Sequence, residues 1–379
     1  MKENRYSLSI ISKKHYLCNM FHLDVNRFIE EKSLFFQKDK ILVALSGGAD
    51  SVALLRVLLA LGYTCEAAHC NFHLRGKESD RDENFVRGLC NELNILLHVV
   101  HFDTQTYATK HRISIEMAAR EMRYEWFEKL RQECDASVIA VAHHRDDSVE
   151  TFLLNLIRGT GINGLKGIAP LNGHIVRPLL NVSRQDILQY LEHLHQDYVT
   201  DSTNLQDEYM RNKIRLNILP MLGELNPSVS ESIAETANRL AETSLVYNKE
   251  MAEAKNRVIK RNGNNLKAIH VERLLTEVAP ASLLFEILYP LGFKPLQIKD
   301  IFHSLSGQPG KRFISPEWEA VRDREYLLLQ TRTIESTTDP TPQLCIKTLD
   351  LSDDFIIPKE KDVACLDADK VIRPLIIRK

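Results

Sequence analysis

The sequence predicts an α/β fold: a parallel, twisted sheet with helices on both faces, then a small helical domain and a short strand-rich C-terminal part. Three observations predict it. Apolar runs of strand length alternate with amphipathic runs of helix length from Lys40 to Gly159. Four strand–helix pairs follow in series, the pattern of a sheet built through crossover helices. No internal repeat or low-complexity block interrupts them.

ILVAL (41–45) is the first strand, and the helix from Ser51 to Leu61 places Leu54, Leu55 and Leu58 on one side. CEAAH (65–69) is the second strand, and ESDRDENFVRGLCNEL the next helix, its acidic first turn suited to the helix dipole. LLHVVHF (96–102) is the third strand, and Ser114 caps a long helix through SIEMAAREMRYEWFEKLRQE. SVIAVAHH (137–144) is the fourth strand, followed by DSVETFLLNLIRG, a helix stopped by Gly159. The glycine-rich connection GTGINGLKG then leads to HIVRPLL.

Residues 201–227 are polar and carry RNKIR, and 228–262 read as one long charged helix leading out of the first domain. FEILYPLGFKPLQIKDIFHSL suggests a small helical unit, and KRFISPEWEAVRDREYLLLQ paired strands. TRTIESTTDPTPQ is a linker by composition. The expected domains are 1–37, an N-terminal leader and helix; 38–227, the α/β domain; 228–333, a long linker helix plus a small domain; and 334–379, a strand-rich segment expected to be incomplete.

Composition excludes several classes. With 379 residues, 44% of them hydrophobic and 26% charged, the chain is of ordinary globular type. A net charge of -2 and pI near 6.7 mean that any polyanion must meet local basic patches. Seven cysteines without a CxxC pair suit a reduced, cytoplasmic protein. No apolar run approaches the roughly 20 residues of a membrane span. The N-terminus is a poor signal peptide, because Lys13 and Lys14 follow its short apolar stretch. Residues 1–19 are expected to be a leader extension or a misassigned start, since helical periodicity begins after Met20.

SGGADS (46–51) lies between the first strand and its helix. Gly47 and Gly48 allow a sharp turn and close approach of backbone amides to a ligand. A helix N-terminus adds partial positive charge, so phosphate is the natural guest, with the Ser46 and Ser51 hydroxyls for its oxygens. Asp50 would repel bare phosphate, but fits if Mg²⁺ lies between them. The plain alternative is a tight turn with an N-cap. GxxxxGK[ST] is absent, so this is no Walker loop.

HHRDD straddles the end of the fourth strand and would meet SGGADS at the carboxyl edge of the sheet. Asp147 and Glu150 are three apart on a helix and face the same side; a capping box is the structural alternative. Asp146 is a weaker candidate. His143 and His144 alternate faces if they are on a strand and are poor joint metal ligands, so zinc is not expected. Arg211 and Arg215, four apart, share a helical face that is either functional or merely solvated.

SGGADS resembles the SGGxDS signature of the PP-loop ATP pyrophosphatases, whose loop holds the pyrophosphate part of ATP. AHCNFHLRGKESDRDENFV, SIEMAAREMRYEWF, AHHRDDSVETFLLNLIRGTGINGL and DSTNLQDEYMRNKIRLNILP then resemble, in order, successive blocks of the tRNA(Ile)-lysidine synthases. The resemblance is good over roughly 38–227 and loose beyond. NFHLRG departs from it, because many relatives carry a histidine–glycine pair before LRG, so Phe72 and His73 receive no role.

The resemblance implies ATP-dependent ligation of free L-lysine to the wobble cytidine of an isoleucine tRNA with a CAU anticodon. An adenylated cytidine intermediate forms on the way, with AMP and pyrophosphate released. It implies ATP contacts at Ser46, Gly47, Gly48, Ala49, Asp50, Ser51 and His69, with magnesium on Asp50. Asp147 and Glu150 would bind the lysine amine, and Asp50, Arg123, Asp147, Glu150 and Arg211 would be catalytic. tRNA would be held by Arg211, Arg215, Lys311 and Arg312, with KNRVIKRNGNNLK (255–267) and the terminal IIRK as further basic stretches. The oligomeric state is open, a homodimer being compatible. Two rival readings are another PP-loop enzyme acting on a different acceptor, such as a tRNA thiolase or an amide or NAD synthetase, and a nucleotide sensor without turnover.

Overall fold

The computed structural model describes residues 20–200, 206–261 and 266–332. The expected leader (1–19), the segment 334–379 and its basic IIRK end lie outside the described residues.

Helix α1 (20–31) precedes the sheet and buries Phe21, Val25 and Ile29 in the same core as the strands. The first core therefore includes residues before 38. The six strands are β1 (Lys40–Ala44), β2 (Thr64–Asn71), β3 (Leu97–His101), β4 (Val138–Ala140), β5 (Leu171–Asn172) and β6 (Ile175–Val176), in the order β3-β2-β1-β4-β6-β5. All pairings are parallel except β5 with β6, an antiparallel edge. Central β1 reads as an unbroken apolar run because helices cover both faces, and Ile41, Leu42 and Val43 have no exposed surface.

The order runs outward from β1 to β3, then returns to β4 on the other side of β1. That reversal opens a crevice between the carboxyl ends of β1 and β4, the expected ligand position in such sheets. Helices α2 (Ala49–Ala60), α3 (Lys77–Glu92), α4 (Thr104–His111), α5 (Ile115–Glu133), α6 (Arg145–Ile157) and α7 (Arg184–His193) complete this unit. The sequence reading missed α4, which Asp103 caps through the Thr106 N–H at 3.1 Å. Ser114 caps α5 as expected, at 3.1 Å from the Met117 N–H.

One expectation is corrected with consequences for the site. The fourth strand ends at Ala140 instead of continuing to residue 144, because its ladder with β1 stops where β1 turns into the glycine loop. His143 and His144 sit on the turn into α6, so the alternating-face argument does not apply to them.

Beyond α8 (Gln206–Lys213), a π-turn at Ile214–Ile218 leads into α9 (Leu219–Leu225). Pro220 lacks an N–H and crowds the carbonyl four residues back, which favours a widened turn. The expected long helix is α10 (Val229–Val258). Its first half packs Ala237 against Val149 and Leu153 of α6, and its second half gives Met251, Ala254 and Val258 to another core. That core joins α11 (Val271–Thr276), α12 (Pro280–Leu288) and α13 (Pro295–Ser304) to an antiparallel sheet. The sheet comprises β7 (Ile259–Arg261), β8 (Leu266–His270), β9 (Arg312–Ile314), β10 (Trp318–Arg322) and β11 (Tyr326–Thr331), ordered β7-β8-β11-β10-β9. The paired strands read at 311–330 are β9 to β11.

Candidate active site

The crevice between β1 and β4 holds a cavity of about 430 Å³. Of the anticipated residues, Ser46, Gly48, Asp50, Ser51, His69, Arg123 and Asp147 line it. Gly47 and Ala49 complete the loop backbone behind them.

The loop is shaped by its backbone. Gly47 has φ +92°, and a Cβ there would stand 2.9 Å from the Val199 side chain, so glycine is required twice over. The Val199 N–H donates to the Gly47 carbonyl at 2.9 Å and pins the turn. Ser51 Oγ accepts the Ser46 and Gly47 amides, both at 3.2 Å, and donates to the Gly48 carbonyl at 3.0 Å. In this arrangement its only proton is directed to the loop backbone. The Ser46 hydroxyl lies 3.1 Å from Ser51 Oγ and accepts the Gly48 N–H at 3.3 Å. Gly48 is the N-cap of α2 and brings no capping side chain, so the helix opens toward the cavity through backbone amides.

The opposite wall comes from α5. Arg120, Arg123, Tyr124 and Phe127 follow an i, i+3, i+4, i+7 spacing and all line the cavity. Arg123 stacks over the Phe72 ring at 5.1 Å, and Arg120 over Tyr124 at 5.1 Å. Phe72, given no role from sequence, therefore supports Arg123. His69 is buried and its Nδ1–H donates to the Leu45 carbonyl at 2.8 Å. Burial lowers its pKa, leaving a neutral ring with Nε2 as the acceptor.

The third wall is the start of α6. Its N-cap is His144, and Asp147 Oδ2 accepts the His144 N–H at 3.0 Å. Asp147 therefore caps backward onto His144, and the alternative of a capping box between Asp147 and Glu150 is not the arrangement found. Glu150 is buried, and both its oxygens are held by Arg215, at 2.6 and 3.1 Å. Arg215 Nη2 also stands 3.8 Å from Asp147, so the two carboxylates do share a side. Burial raises the Glu150 pKa, against the opposing pull of Arg215.

Several site residues were not found from sequence. His143 lines the cavity and its Nδ1 accepts the Arg177 Nε–H at 3.1 Å. Burial, with the arginine charges around it, pushes its pKa down to about 4, so the ring is neutral with its proton on Nε2. Arg211 is exposed and does not line the cavity, though its charge is one of those that lower the His143 pKa. Arg184 holds both oxygens of Asp50 through Nη1, at 2.7 and 2.5 Å. Arg120 had a readable signal in its spacing from Arg123; Arg177 and Arg184 had none, because both meet their partners through tertiary pairing.

In the second unit, Lys311 is exposed, while Arg312 is tied to Glu319 at 2.6 Å. Lys255 donates to the Glu286 carbonyl at 2.9 Å, and Arg257 pairs with Glu250 and Glu277. Those two therefore serve structure. Lys260 and Lys267 lie over Tyr326 and Trp318 at 5.6 and 5.0 Å. Among the described residues, no helix is long and apolar enough to cross a membrane. Burial pushes the Cys65 and Cys70 thiols up to about 12, which suits inert cysteines.

Comparison with known proteins adds the following. Residues 19–222 match the PP-loop domain model, and 261–332 match the TilS substrate binding domain model. The chain is 58% identical over 360 residues to tRNA(Ile)-lysidine synthase of Bacteroides thetaiotaomicron, covering 95% of this chain and 83% of that one. It is 46% identical over 365 residues to tRNA(Ile)-lysidine synthase of Parabacteroides distasonis, covering 93% and 82%. Among solved structures, the U34-tRNA thiolase NcsA from Methanococcus maripaludis is similar with a TM-score of 0.52 at 20% identity, over 60% of this chain and 80% of that one, a likeness of fold.

Proposed function

This chain belongs to the tRNA(Ile)-lysidine synthase family, and we propose from that premise how its cavity performs the ligation. The reaction joins lysine to the wobble cytidine of isoleucine tRNA with a CAU anticodon, consuming ATP and releasing AMP and pyrophosphate. The product decodes AUA instead of AUG. One observation carries the reading: a phosphate-type loop, an arginine wall and the Asp147 carboxylate meet around a single 430 Å³ cavity.

ATP lies with its outer phosphates at the N-terminus of α2, whose first backbone amides carry no capping side chain. His69 Nε2 accepts from the adenine edge. The cytosine O2 attacks the α-phosphorus, the bond to the β-phosphate oxygen breaks, and pyrophosphate leaves with the electron pair. Arg123, steadied on Phe72, offsets charge at the α-phosphate. The lysine amine then attacks C2, the C2–O bond breaks, and AMP leaves. A free amine of pKa near 10.4 must first lose its proton. Asp147, on the cavity wall, holds the ammonium and accepts that proton, with Glu150 and its Arg215 partner fixing the local charge behind it. His143 stays neutral and offers its Nε2–H to the base or the α-phosphate.

Magnesium fits this site in one form. Among the described residues no cluster of three ligating side chains exists, so a dedicated protein cage is not available. Asp50 supplies hard oxygens beside the loop, which suits an ion shared with phosphate oxygens; the ion would neutralise the polyphosphate. tRNA is held by Arg211 near the base and by Lys311 on the second unit, with Arg312 contributing once freed from Glu319. We place the enzyme in the cytoplasm, where its tRNA substrate is, and take a homodimer as the assembly to test.

Purified protein with labelled lysine, ATP, magnesium and unmodified CAU-anticodon isoleucine tRNA is expected to transfer label into tRNA, with AMP and pyrophosphate formed in equal amounts. Well-folded protein that incorporates no label would overturn the assignment.

A further inference from the structure

Asp50 and Arg184 lie 134 residues apart in sequence, and the fold makes them meet. Arg184 is the first residue of α7. Its backbone N–H donates to Asp146 at 2.9 Å, Ser183 caps the helix through the Asp186 N–H, and Ile187, Tyr190 and Leu191 seat α7 in the first core. The root of the side chain is therefore fixed. The head is not, since the Arg184 side chain is 40% exposed and reaches Asp50 with one terminal nitrogen. An ion pair this exposed adds little to stability and is easily exchanged. Asp50 lines the cavity at its loop end, and the guanidinium that holds its carboxylate stands beside the loop.

We propose that Arg184 is an exchanging counter-ion for the pyrophosphate leaving group. Before nucleotide enters, it balances Asp50. When a phosphate-borne divalent cation claims that carboxylate, the guanidinium swings onto the β- and γ-phosphate oxygens, which its planar fork fits as well as it fits a carboxylate. The exchange keeps a cation opposite each anion in both states. It also gives the departing pyrophosphate, which carries off the electron pair of the broken bond, a partner separate from Arg123 at the α-phosphate. No proton moves in this step. The proposal rests on the reading of the cavity as a site of α–β cleavage.

Calorimetric titration of magnesium alone, magnesium pyrophosphate and AMP into wild type, Arg184→Ala and Arg184→Lys tests it, with melting temperature as a check of folding. In Arg184→Ala, magnesium alone is expected to bind several-fold tighter, because its competitor for Asp50 is gone. Magnesium pyrophosphate is expected to bind about tenfold weaker, and AMP unchanged. Arg184→Lys, with the charge but not the fork, is expected to fall between. Unchanged magnesium and pyrophosphate affinities would overturn the exchange, as would a parallel loss of all three ligands, the mark of a structural role. If Arg184→Ala does not fold, Arg184→Lys decides, and wild-type affinities in it overturn the proposal. Wild type that binds neither magnesium pyrophosphate nor AMP removes the cleavage reading and this proposal together. Wild type that binds both, beside variants that change nothing, removes the exchange alone.

Discussion

The turns after β1 and after β4 face each other across the same crevice, yet they are held by opposite means. The turn after β1 is maintained mainly by neighbours in sequence, a left-handed Gly47, a Ser51 hydroxyl spent on two amides and a helix start, with one distant bond from the Val199 N–H. The turn after β4 carries charged and titratable groups whose partners come from far along the chain. Arg177 holds His143, Arg184 reaches Asp146 and Asp50, and Arg215 holds Glu150. A site that must bind a rigid polyphosphate gains from a stiff local cradle. A site that must move protons gains from charges whose balance the surrounding fold sets.

Breaking the local turn is expected to have the largest effect. Gly47→Ala places a Cβ 2.9 Å from Val199 at φ +92° and forces the loop to shift. Displacement of reacting groups by about 1 Å costs on the order of a hundredfold, so tRNA lysylation should fall at least that far while tRNA retention on a filter is kept. Turnover within tenfold of wild type would show that the turn tolerates rebuilding.

Breaking a long-range pair comes next. Arg215→Ala strands a buried carboxylate and should cost about 2 kcal/mol in chemical denaturation, less than for a fully buried pair because Arg215 is 43% exposed. Adding Glu150→Gln should recover part of the loss, since a neutral amide needs no counter-ion. No recovery would mean that Arg215 acts by packing.

The contrast also explains what could be read in advance. SGGADS announced its turn because local geometry demands those residue types in that order. The strand–helix alternation announced the sheet for the same reason, period 2 and period 3.6 being local properties. Arg177 and Arg184 were invisible, since nothing near either residue names its partner. The length of the fourth strand was misjudged because apolar residues 141 and 142 look like strand wherever the ladder ends. The Glu150 partner of Arg215 was equally invisible, because a basic residue on a helix shows its charge but not the carboxylate it neutralises.

The smallest expected effect sharpens the comparison through pH. His143 has a folded pKa of about 4 against an ordinary 6.5, so between those values the unfolded chain binds the proton that the folded chain refuses. Stability therefore falls as pH drops through that window. The raised Glu150 carboxyl works in the opposite direction, taking up its proton in the folded state first. His143→Asn should flatten the acid-side decline of melting temperature between about pH 6.5 and 4. An unchanged slope would assign the decline to other groups.

Helix α10 has a consequence for anyone who would divide this molecule. At 30 residues it is about 45 Å long, and its two ends are rooted in different hydrophobic interiors. No single cut along it gives two clean pieces: wherever the chain is severed, one fragment loses the apolar stripe that covers its interior. Any torque applied to the distal unit would also arrive at α6, the helix bearing Asp147 and Glu150, along one unbroken rod.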